Sequence, residues 1–400
     1  LSFLLPFILS SGPSIALFEI LHVALLEYFP FIILLLSLFT VTGGIKISGS
    51  FSGSPRFNTG LLAIGTILAS WMGTTGAAMA LIRPLLRANA WRRYRTHVVV
   101  FFIFLVANVG GSLTPLGDPP LFLGFLKGVD FFWTTTHMLL PMAFLATVLL
   151  LIFYFLDSFL AHRDGARPEI NEEATKFGVE GRINILLLFG VIGAVLMSGV
   201  WRPGVSFGVY YVDVELQNLT RDLLLLLITV LSWLVTPREI RTGNDFSWFP
   251  IVEVAKLFAG IFITIVPVIA ILRAGHGGAL SVVHRAVSAE DGTPINAMYF
   301  WITGILSSFL DNAPTYLVFF NTAGGDAELL MGPLETTLLA ISAGAVFMGA
   351  NTYIGNAPNF MVRAIAEESG VKMPSFFGYM VWSIALLMPI FVVVTLIWFL

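Results

Sequence analysis

Oxygen-bearing side chains recur inside segments of the sequence that are otherwise apolar enough to cross a membrane. They lie at four places: two turns between short apolar pieces and two interruptions of longer apolar segments. Hydroxyl, amide and carboxylate oxygens, together with the carbonyls of unwound backbone, are the ligands that hard cations such as Na⁺ prefer. No Lys or Arg lies at any of the four places. We therefore predict an intramembrane ion or substrate site formed by Thr74, Thr75, Ser112, Thr114, Asp118, Asp311, Asn312, Asn351, Thr352 and Asn356.

The two interruptions match each other in sequence. Residues 108–120 contain an Asp, three prolines and three glycines, and a helix cannot continue through such a stretch because proline lacks the N–H. Residues 107–122 align with 345–360 without a gap, with six identities in sixteen positions. Two broken membrane helices, one in each half of a chain, are the best sequence indication of a transporter's binding site.

The two aspartates differ in how well helix capping alone explains them. Asp311 lies at a turn inside the membrane, where a carboxylate costs at least ~2.5–3.5 kcal/mol and so favours a functional role; the alternative is an N-cap for a helix that starts at Pro314. Asp118 in Gly-Asp-Pro-Pro is a typical N-cap, and Asn356 would cap equally well. We therefore rank Asp311 above Asp118 as the ion ligand.

The polar residues beside the aspartates have two interpretations. The threonines and asparagines either bind the ion or satisfy backbone groups of the broken helices. As a specific hypothesis, Na⁺ binds at Asp311, Asn312 and Thr352. Glu253 and Lys256, three residues apart, form either an interfacial pair with a snorkelling lysine or a coupling pair.

No arrangement typical of an enzyme is found in the sequence. The six histidines lack metal-ligand spacing, so we expect them at interfaces or in loops, and no nucleophile–base set is present. The absence of cysteine excludes disulfides and thiolate metal sites. We predict no cofactor and no enzymatic activity; Na⁺ and H⁺ enter as transported or coupling ions.

The composition indicates a polytopic all-α membrane protein. Hydrophobic residues make up 57% of the chain and charged residues 11%, against about 25% charged in soluble domains. The mean hydropathy is +0.90, and apolar runs of 18 or more residues recur along the chain. The expected partners are the lipid bilayer and a small inorganic cation or small carboxylate, and not nucleic acid.

The apolar segments divide the chain into two similar halves. Residues 1–27 form an incomplete membrane segment, and 28–156 and 249–400 each form one repeat: a crossing, a re-entrant hairpin, a broken helix and a final helix. Between them, 157–248 contains a polar surface helix over 157–182 and two linking crossings. The predicted segments are 28–45, 59–72 and 76–90, 97–126, 131–156, 183–200, 222–236, 249–273, 297–310 and 314–323, 335–366 and 377–399.

Charge placement sets the predicted orientation. With the Arg-rich loop 82–97 in the cytoplasm, the cytoplasmic segments hold 15 Lys and Arg and the opposite side holds five, as the positive-inside rule requires. The two repeats are then inverted, which is the arrangement that underlies alternating access in many secondary transporters. We predict an integral protein of the bacterial inner membrane.

Four motifs resemble the ion transporter superfamily, within which the sequence is most similar to NhaD-type sodium/proton antiporters and to the citrate transporters of the CitMHS-like group. The resemblance covers roughly residues 28–400. The motifs are Gly-Thr-Thr-Gly-Ala-Ala-Met (73–79), Asn-Val-Gly-Gly-Ser-Leu-Thr-Pro-Leu-Gly-Asp-Pro-Pro-Leu-Phe (108–122), Ser-Ser-Phe-Leu-Asp-Asn-Ala-Pro-Thr (307–315) and Gly-Ala-Asn-Thr-Tyr-Ile-Gly-Asn-Ala-Pro-Asn-Phe (349–360).

This resemblance implies a fold and a mechanism. It implies a scaffold domain that forms a homodimer and a transport domain that holds both hairpins and both broken helices and moves like an elevator. The Asp-Asn-x-Pro tip of the antiporters corresponds to Asp311, Asn312 and Pro314. The dicarboxylate branch has Ser-Asn-Thr at both tips, whereas the tips here are Gly-Thr-Thr and Asp-Asn-Ala, which argues against a dicarboxylate substrate.

The expected function is exchange of Na⁺ for H⁺. Asp118 and Asp311 would repel an anion such as citrate unless bound cations neutralised them, and a carboxylate that binds Na⁺ and H⁺ competitively yields exchange. The alternative is a Na⁺- or H⁺-coupled citrate or dicarboxylate carrier. An ion channel is a third possibility, although paired hairpins and inverted repeats favour alternating access.

Overall fold

The described chain begins with a short helix that is followed by a long, continuous apolar helix. The computed structural model describes residues 4–49, 52–164, 178–273 and 281–400. A π-helical segment, Ala24–Tyr28, joins α2 to α3, so residues 13–42 form a continuous 30-residue helix, and the boundary predicted at residue 27 falls inside it. The helices are α1 (Leu4–Ser11), α2 (Pro13–Val23) and α3 (Phe29–Thr42).

A helical hairpin and a broken helix follow, as the glycines and prolines predict. The hairpin turns at Gly73, and the break lies between α6 and α7, around a short 3₁₀ turn at Val109–Ser112. The elements are β1 (Lys46–Ser48), α4 (Pro55–Met72), α5 (Thr74–Ala88), α6 (Thr96–Leu105), α7 (Pro119–Leu126) and α8 (Trp133–Asp164).

The middle of the chain contains two further long helices. The surface helix predicted over 157–182 is wrong for its first residues, because 157–164 continue α8 and Asp157 is fully buried; residues 165–177 lie outside the described part. β2 pairs antiparallel with β1, and β3 with β4. The elements are β2 (Gly178–Glu180), α9 (Ile183–Val200), β3 (Ser206–Val209), β4 (Val212–Glu215), α10 (Leu216–Val235) and α11 (Arg238–Gly243).

The last third contains a hairpin and a broken helix in the same order as the first, with one additional short helix between them. The second hairpin turns at Asp311, and a 3₁₀ turn at Gly349–Asn351 interrupts the second broken helix. The elements are α12 (Phe249–Arg273), α13 (Ser281–Val287), α14 (Asn296–Phe309), α15 (Asn312–Thr322), α16 (Ala327–Met331), α17 (Glu335–Met348), α18 (Ala357–Glu368) and α19 (Phe376–Trp398).

The helix lengths confirm an all-α polytopic membrane protein. Within the described ranges, six helices are long and apolar enough to cross a membrane. These spans are Pro13–Thr42, Trp133–Asp164, Ile183–Val200, Leu216–Val235, Phe249–Leu272 and Phe376–Trp398.

The buried apolar side chains form two large clusters. One lies among α4–α6, α8, α14, α15, α17 and α19, and we call α4–α8 with α14–α19 the hairpin body. The other lies among α3, α9, α10 and α12, and we call α1–α3 with α9–α12 the outer body. Phe122 and Leu123 of α7 and Leu317 of α15 pack in the second cluster. Met79 of α5 packs in a third, small cluster with two side chains of the outer body, so α5, α7 and α15 all contact the outer body.

Candidate ion-binding site

The first hairpin turn is held against the first helix break by close backbone contact. Gly73 has φ +79°, a conformation that favours glycine. The backbone N–H of Thr74 then donates to the carbonyl of Gly117 at 2.9 Å. A Cβ on Gly117 would lie 2.1 Å from the carbonyl oxygen of Gly111, so this crossing of the backbone on itself requires glycine.

The second hairpin and second break repeat this arrangement. A Cβ on Gly355 would lie 2.5 Å from the carbonyl oxygen of Gly349, and the alignment of the two breaks pairs these glycines with Gly117 and Gly111. The hydroxyl of Thr114 donates to the Ser70 carbonyl, and at the equivalent positions of the second half Thr352 donates to the Ser308 carbonyl. Both breaks are therefore supported by the same pattern of hydrogen bonds to their hairpins.

One carboxylate receives hydrogen bonds from both hairpins and from the other break. Asp118 is 1% exposed. Its Oδ1 accepts from Thr74 Oγ1 at 3.2 Å and from Asn356 Nδ2 at 3.1 Å, and its Oδ2 accepts from Asn312 Nδ2 at 2.6 Å. The four predicted places therefore meet at Asp118, which is the geometric centre of the candidate site.

The capping explanation of Asp118 and Asn356 is wrong. Both residues occupy N-cap positions, of α7 and α18, but neither side chain makes a capping hydrogen bond. For Asp118, Pro120 at the second helical position removes one of the two N–H groups that a cap accepts, and the other, the N–H of Leu121, bonds to the Asp118 carbonyl at 3.1 Å. The two side chains instead bond to each other, which leaves the carboxylate available to the centre of the site.

Asp311 does cap a helix. Its Oδ1 accepts the N–H of Ala313 at 3.1 Å, at the start of α15. Asp311 also lines the same cavity as Asp118. The capping interpretation is confirmed, although the helix starts at Asn312 and not at Pro314. A role in ion binding stays a prediction. The structure places Asp118, which the sequence ranks second, at the point where the elements converge.

Several predicted residues bond to nearby backbone instead of to Asp118. Ser112 donates to the carbonyl of Val109 at 2.8 Å, and the Thr114 hydroxyl accepts from Leu116 N at 3.2 Å. The Thr352 hydroxyl accepts from the N–H of Gly355 at 3.1 Å. These contacts are those expected if the hydroxyls satisfy the broken helices.

The two amide side chains Asn312 and Asn351 each have one buried oxygen without a partner among the described residues. Asn351 Nδ2 donates to Ser308 Oγ at 2.9 Å, but its Oδ1 accepts no hydrogen bond, and the same is true of Asn312 Oδ1. Buried polar atoms are normally paired. Each oxygen is therefore free to bind a cation or a donor from a solute.

Two asparagines that sequence reasoning did not select join the two breaks. Asn108 Nδ2 donates to Asn359 Oδ1 at 2.7 Å, and Asn359 Nδ2 donates to the carbonyls of Gly349 and Thr352 at 2.8 and 2.9 Å. Asn356 Nδ2 also lies 3.3 Å from Asn108 Oδ1. The sequence signal that could have identified them is an amide side chain within an apolar segment, and both residues lie within the motifs at 108–122 and 349–360.

A cavity of about 550 Å³ lies between the two bodies and opens onto Asp118. Thr75 of the first turn lines it. Four carboxylates line it as well: Asp118, Asp311, Glu253 and Glu368. Its described lining includes no Lys, Arg or His. The remaining lining is mainly apolar, so the carboxylates act in a weakly polar environment that favours a cation.

The other predicted charged residues make no hydrogen bond to Asp118 in the described part of the chain, although Glu253 lines the same cavity. Glu253 and Lys256 pair at 3.3 Å with side chains 52% and 70% exposed, as the interfacial interpretation predicts; a coupling role stays a prediction. The expectation for the histidines is wrong for His97, which is buried in α6 with Nε2 2.7 Å from Asp157 Oδ1. Among the described side chains, no group of three or more His, Asp or Glu could hold a metal ion.

These elements define a polytopic helical membrane protein with a buried polar centre where two hairpins and two broken helices meet. A family model described as "Putative citrate transport" matches residues 1–399. The chain therefore belongs to this family, CitMHS_2, which is a family of transporters, and the predicted resemblance to the CitMHS-like group is confirmed. A comparison with curated proteins finds no match.

Proposed function

We propose that the protein is a secondary active transporter that exchanges Na⁺ for H⁺ at Asp118. The observation that carries this proposal is the charge of the cavity: four carboxylates, of which Glu253 pairs with Lys256, and, in its described lining, no basic side chain. Such a cavity attracts a small cation and repels a carboxylate solute. Asp118 lies where hydrogen bonds from both hairpins meet, so a change in its occupancy acts on both hairpins.

The chemistry of exchange follows from competition at a carboxylate. A bound cation disfavours protonation of the carboxylate, and a proton disfavours the cation. The oxygens of Asp118, the unpartnered Oδ1 of Asn312 and the second carboxylate Asp311 are the hard ligands that Na⁺ prefers. Thr352, which the sequence hypothesis included as a Na⁺ ligand, is not a ligand in this proposal, because its hydroxyl already bonds to backbone.

The same proposal includes inverted repeats and an elevator-like movement. The repeats are supported by the shared order of hairpin, broken helix and final helix, and by hydrogen bonds that recur at equivalent positions of the two halves. A movement of the hairpin body is supported by the first apolar cluster, which packs both hairpins and both broken helices together. We further propose a homodimer formed by the outer body, in the bacterial inner membrane, with loop 82–97 in the cytoplasm.

Coupled uptake of citrate or a dicarboxylate is the second candidate, and the family description favours it. In that case Na⁺ or H⁺ would neutralise Asp118 and Asp311 before the anion binds. The cavity volume is sufficient for a solute of that size, since ligand pockets begin near ~300 Å³.

Transport in proteoliposomes that carry a pH gradient tests the two candidates side by side. Exchange predicts that added Na⁺ or Li⁺ dissipates the gradient with saturable dependence, and that labelled citrate does not accumulate. Protein-free liposomes and the variant Asp118→Asn are the controls. An undisturbed gradient together with citrate accumulation would reject exchange in favour of the second candidate, and counterflow distinguishes a carrier from a channel.

A further inference from the structure

An ion pair joins the two bodies at the end of α7 that is remote from Asp118. Nζ of Lys127, the residue after α7, lies 2.5 Å from Oε1 of Glu27 in the π-helical segment of the outer body. The side chain of Glu27 is 3% exposed and that of Lys127 is 20% exposed. α7 has eight residues and is about 12 Å long at 1.5 Å per residue. One short helix therefore begins at the candidate ion ligand and ends at an ion pair with the other body.

α7 has little freedom to move without breaking this pair. On one side a Cβ on Gly124 would lie 2.4 Å from the Tyr316 hydroxyl, so α7 packs closely against α15. On the other side the Phe122 ring lies 6.5 Å from the ring of Phe31 in α3. A displacement of Asp118 and the hairpins relative to the outer body therefore carries Lys127 away from Glu27.

Stability alone does not account for this ion pair. Glu27 Oε2 is buried and has no hydrogen-bond partner in the described part of the chain. A half-satisfied buried carboxylate is costly, and a buried ion pair is often no more stabilising than apolar side chains of the same volume. The carboxylate also lies in a π-helical segment, a type of irregularity that is frequent at functional sites.

We propose that Glu27 and Lys127 form a latch that holds α7, and with it Asp118, in the present arrangement, and that the latch opens in each transport cycle. The inference rests on the proposed movement between the bodies but not on the identity of the solute. A second ion pair between the bodies, Arg83 of α5 with Asp245 at 3.0 Å, is the matched comparison. The Asp245 side chain is 73% exposed, so water weakens that pair.

Thiol labelling measures which arrangement is populated. The chain has no cysteine, so Ala364→Cys provides a single thiol, at an exposed position that lines the Asp118 cavity. The protein is reconstituted in nanodiscs, where both faces are accessible, and reacted with a membrane-impermeant maleimide. Glu27→Gln and Lys127→Met are each expected to lower the labelling rate about fivefold or more, which is a typical coupling between states. Asp245→Asn is expected to change it less than about twofold.

A double variant in which the two charges exchange positions provides the decisive test. Glu27→Lys combined with Lys127→Glu is expected to return the labelling rate toward that of the parent, which a loss of folding would not do. Unchanged labelling in Glu27→Gln and Lys127→Met overturns the latch, as does an equal change in Asp245→Asn. If one single variant does not elute as a monodisperse protein, the other single variant and the reversed pair decide the question. No solute is needed, so failure of Na⁺/H⁺ exchange and failure of the latch are distinguishable.

Discussion

Asp118 and Asn356 are 238 residues apart in the chain and are hydrogen bonded to each other at 3.1 Å. Thr74 and Asn312 are separated by the same interval, and each donates to Asp118, one to each carboxylate oxygen. Two pairs of residues, each pair 238 residues apart in the chain, thus form a single hydrogen-bonded cluster. The cluster is symmetric in position but not in charge, since Asp118 is its only ionisable member, and the charge on which the proposed exchange depends is therefore assigned to one residue.

Asp118→Asn is expected to reduce cation-dependent dissipation of a pH gradient by about tenfold to a hundredfold. Asp118 accepts three hydrogen bonds, and a hydrogen bond to a charged group contributes roughly 1.5–3 kcal/mol. The amide of Asn lacks this charge, and it cannot exchange a proton for a cation. The double variant Asp118→Asn with Asn356→Asp returns one carboxylate to the same cluster and is expected to recover part of the activity. If Asp118→Asn transports as the parent does, Asp118 is not the coupling residue.

Two substitutions at Asp311 distinguish its role in helix capping from a role in ion binding. Asn is as good an N-cap as Asp, so Asp311→Asn should leave the unfolding free energy nearly unchanged, while Asp311→Ala should lower it by about 1 kcal/mol. Both variants remove a carboxylate from the cavity. Unfolding in detergent and transport are measured on the same preparations. If Asp311→Asn transports normally, Asp311 is only a cap.

A second buried charge cluster, around Asp157, should control stability and not transport chemistry. Asp157 Oδ1 lies 2.5 Å from Arg92 Nη1 and 2.7 Å from His97 Nε2, and its Oδ2 accepts from Asn58 Nδ2 at 2.9 Å. Asp157→Ala removes one of the two buried carboxylates that pair with Arg92, the other being Asp164 at 3.1 Å. The variant is expected to lower the free energy of unfolding by up to about 3–5 kcal/mol.

The matched control for that variant is the exposed pair Lys46–Glu180. Its atoms are 3.6 Å apart and its side chains are 25% and 44% exposed. Glu180→Gln should change the unfolding free energy by less than about 1 kcal/mol. Equal stabilities of Asp157→Ala and Glu180→Gln in the same detergent would show that the Asp157 cluster is not structural.

The hairpins and breaks were predictable from the sequence because glycine and proline act locally. Gly73 and the prolines after Asp118 limit the backbone at their own positions, and long apolar runs set the helices between them. The predicted crossings 183–200 and 249–273 agree with the ends of α9 and α12. For the same reason the four polar places could be selected before any contact was known.

The partners of the buried charges could not be predicted. Lys127 is 100 residues from Glu27, and Arg92 is 65 residues from Asp157; a residue type gives no information on which distant atom it meets. The ranking of Asp311 above Asp118 had a local cause. Gly-Asp-Pro-Pro matches a capping pattern by residue type, but Pro120 removes one of the two N–H groups that a cap at Asp118 could bind.

Gly117→Ala tests whether the backbone crossing at the first break positions Asp118. A Cβ there would lie 2.1 Å from the carbonyl oxygen of Gly111 and 2.9 Å from its Cα. Backbone atoms cannot move aside as a flexible side chain can, so the break must shift and weaken the hydrogen bond from Thr74 N to Gly117 O. We expect a loss of about 1–3 kcal/mol in the free energy of unfolding, as for overpacking, together with a loss of cation-dependent transport.

Gly193→Ala in α9 is the matched control, because nothing lies within 4 Å of a Cβ at that position. Alanine is the better helix former, so this variant should be as stable as the parent or more stable by about 0.5–1 kcal/mol. Thermal unfolding in detergent and transport in proteoliposomes are compared for the two variants. If Gly117→Ala matches Gly193→Ala in both, the first break tolerates a side chain and its close backbone contact does not position Asp118.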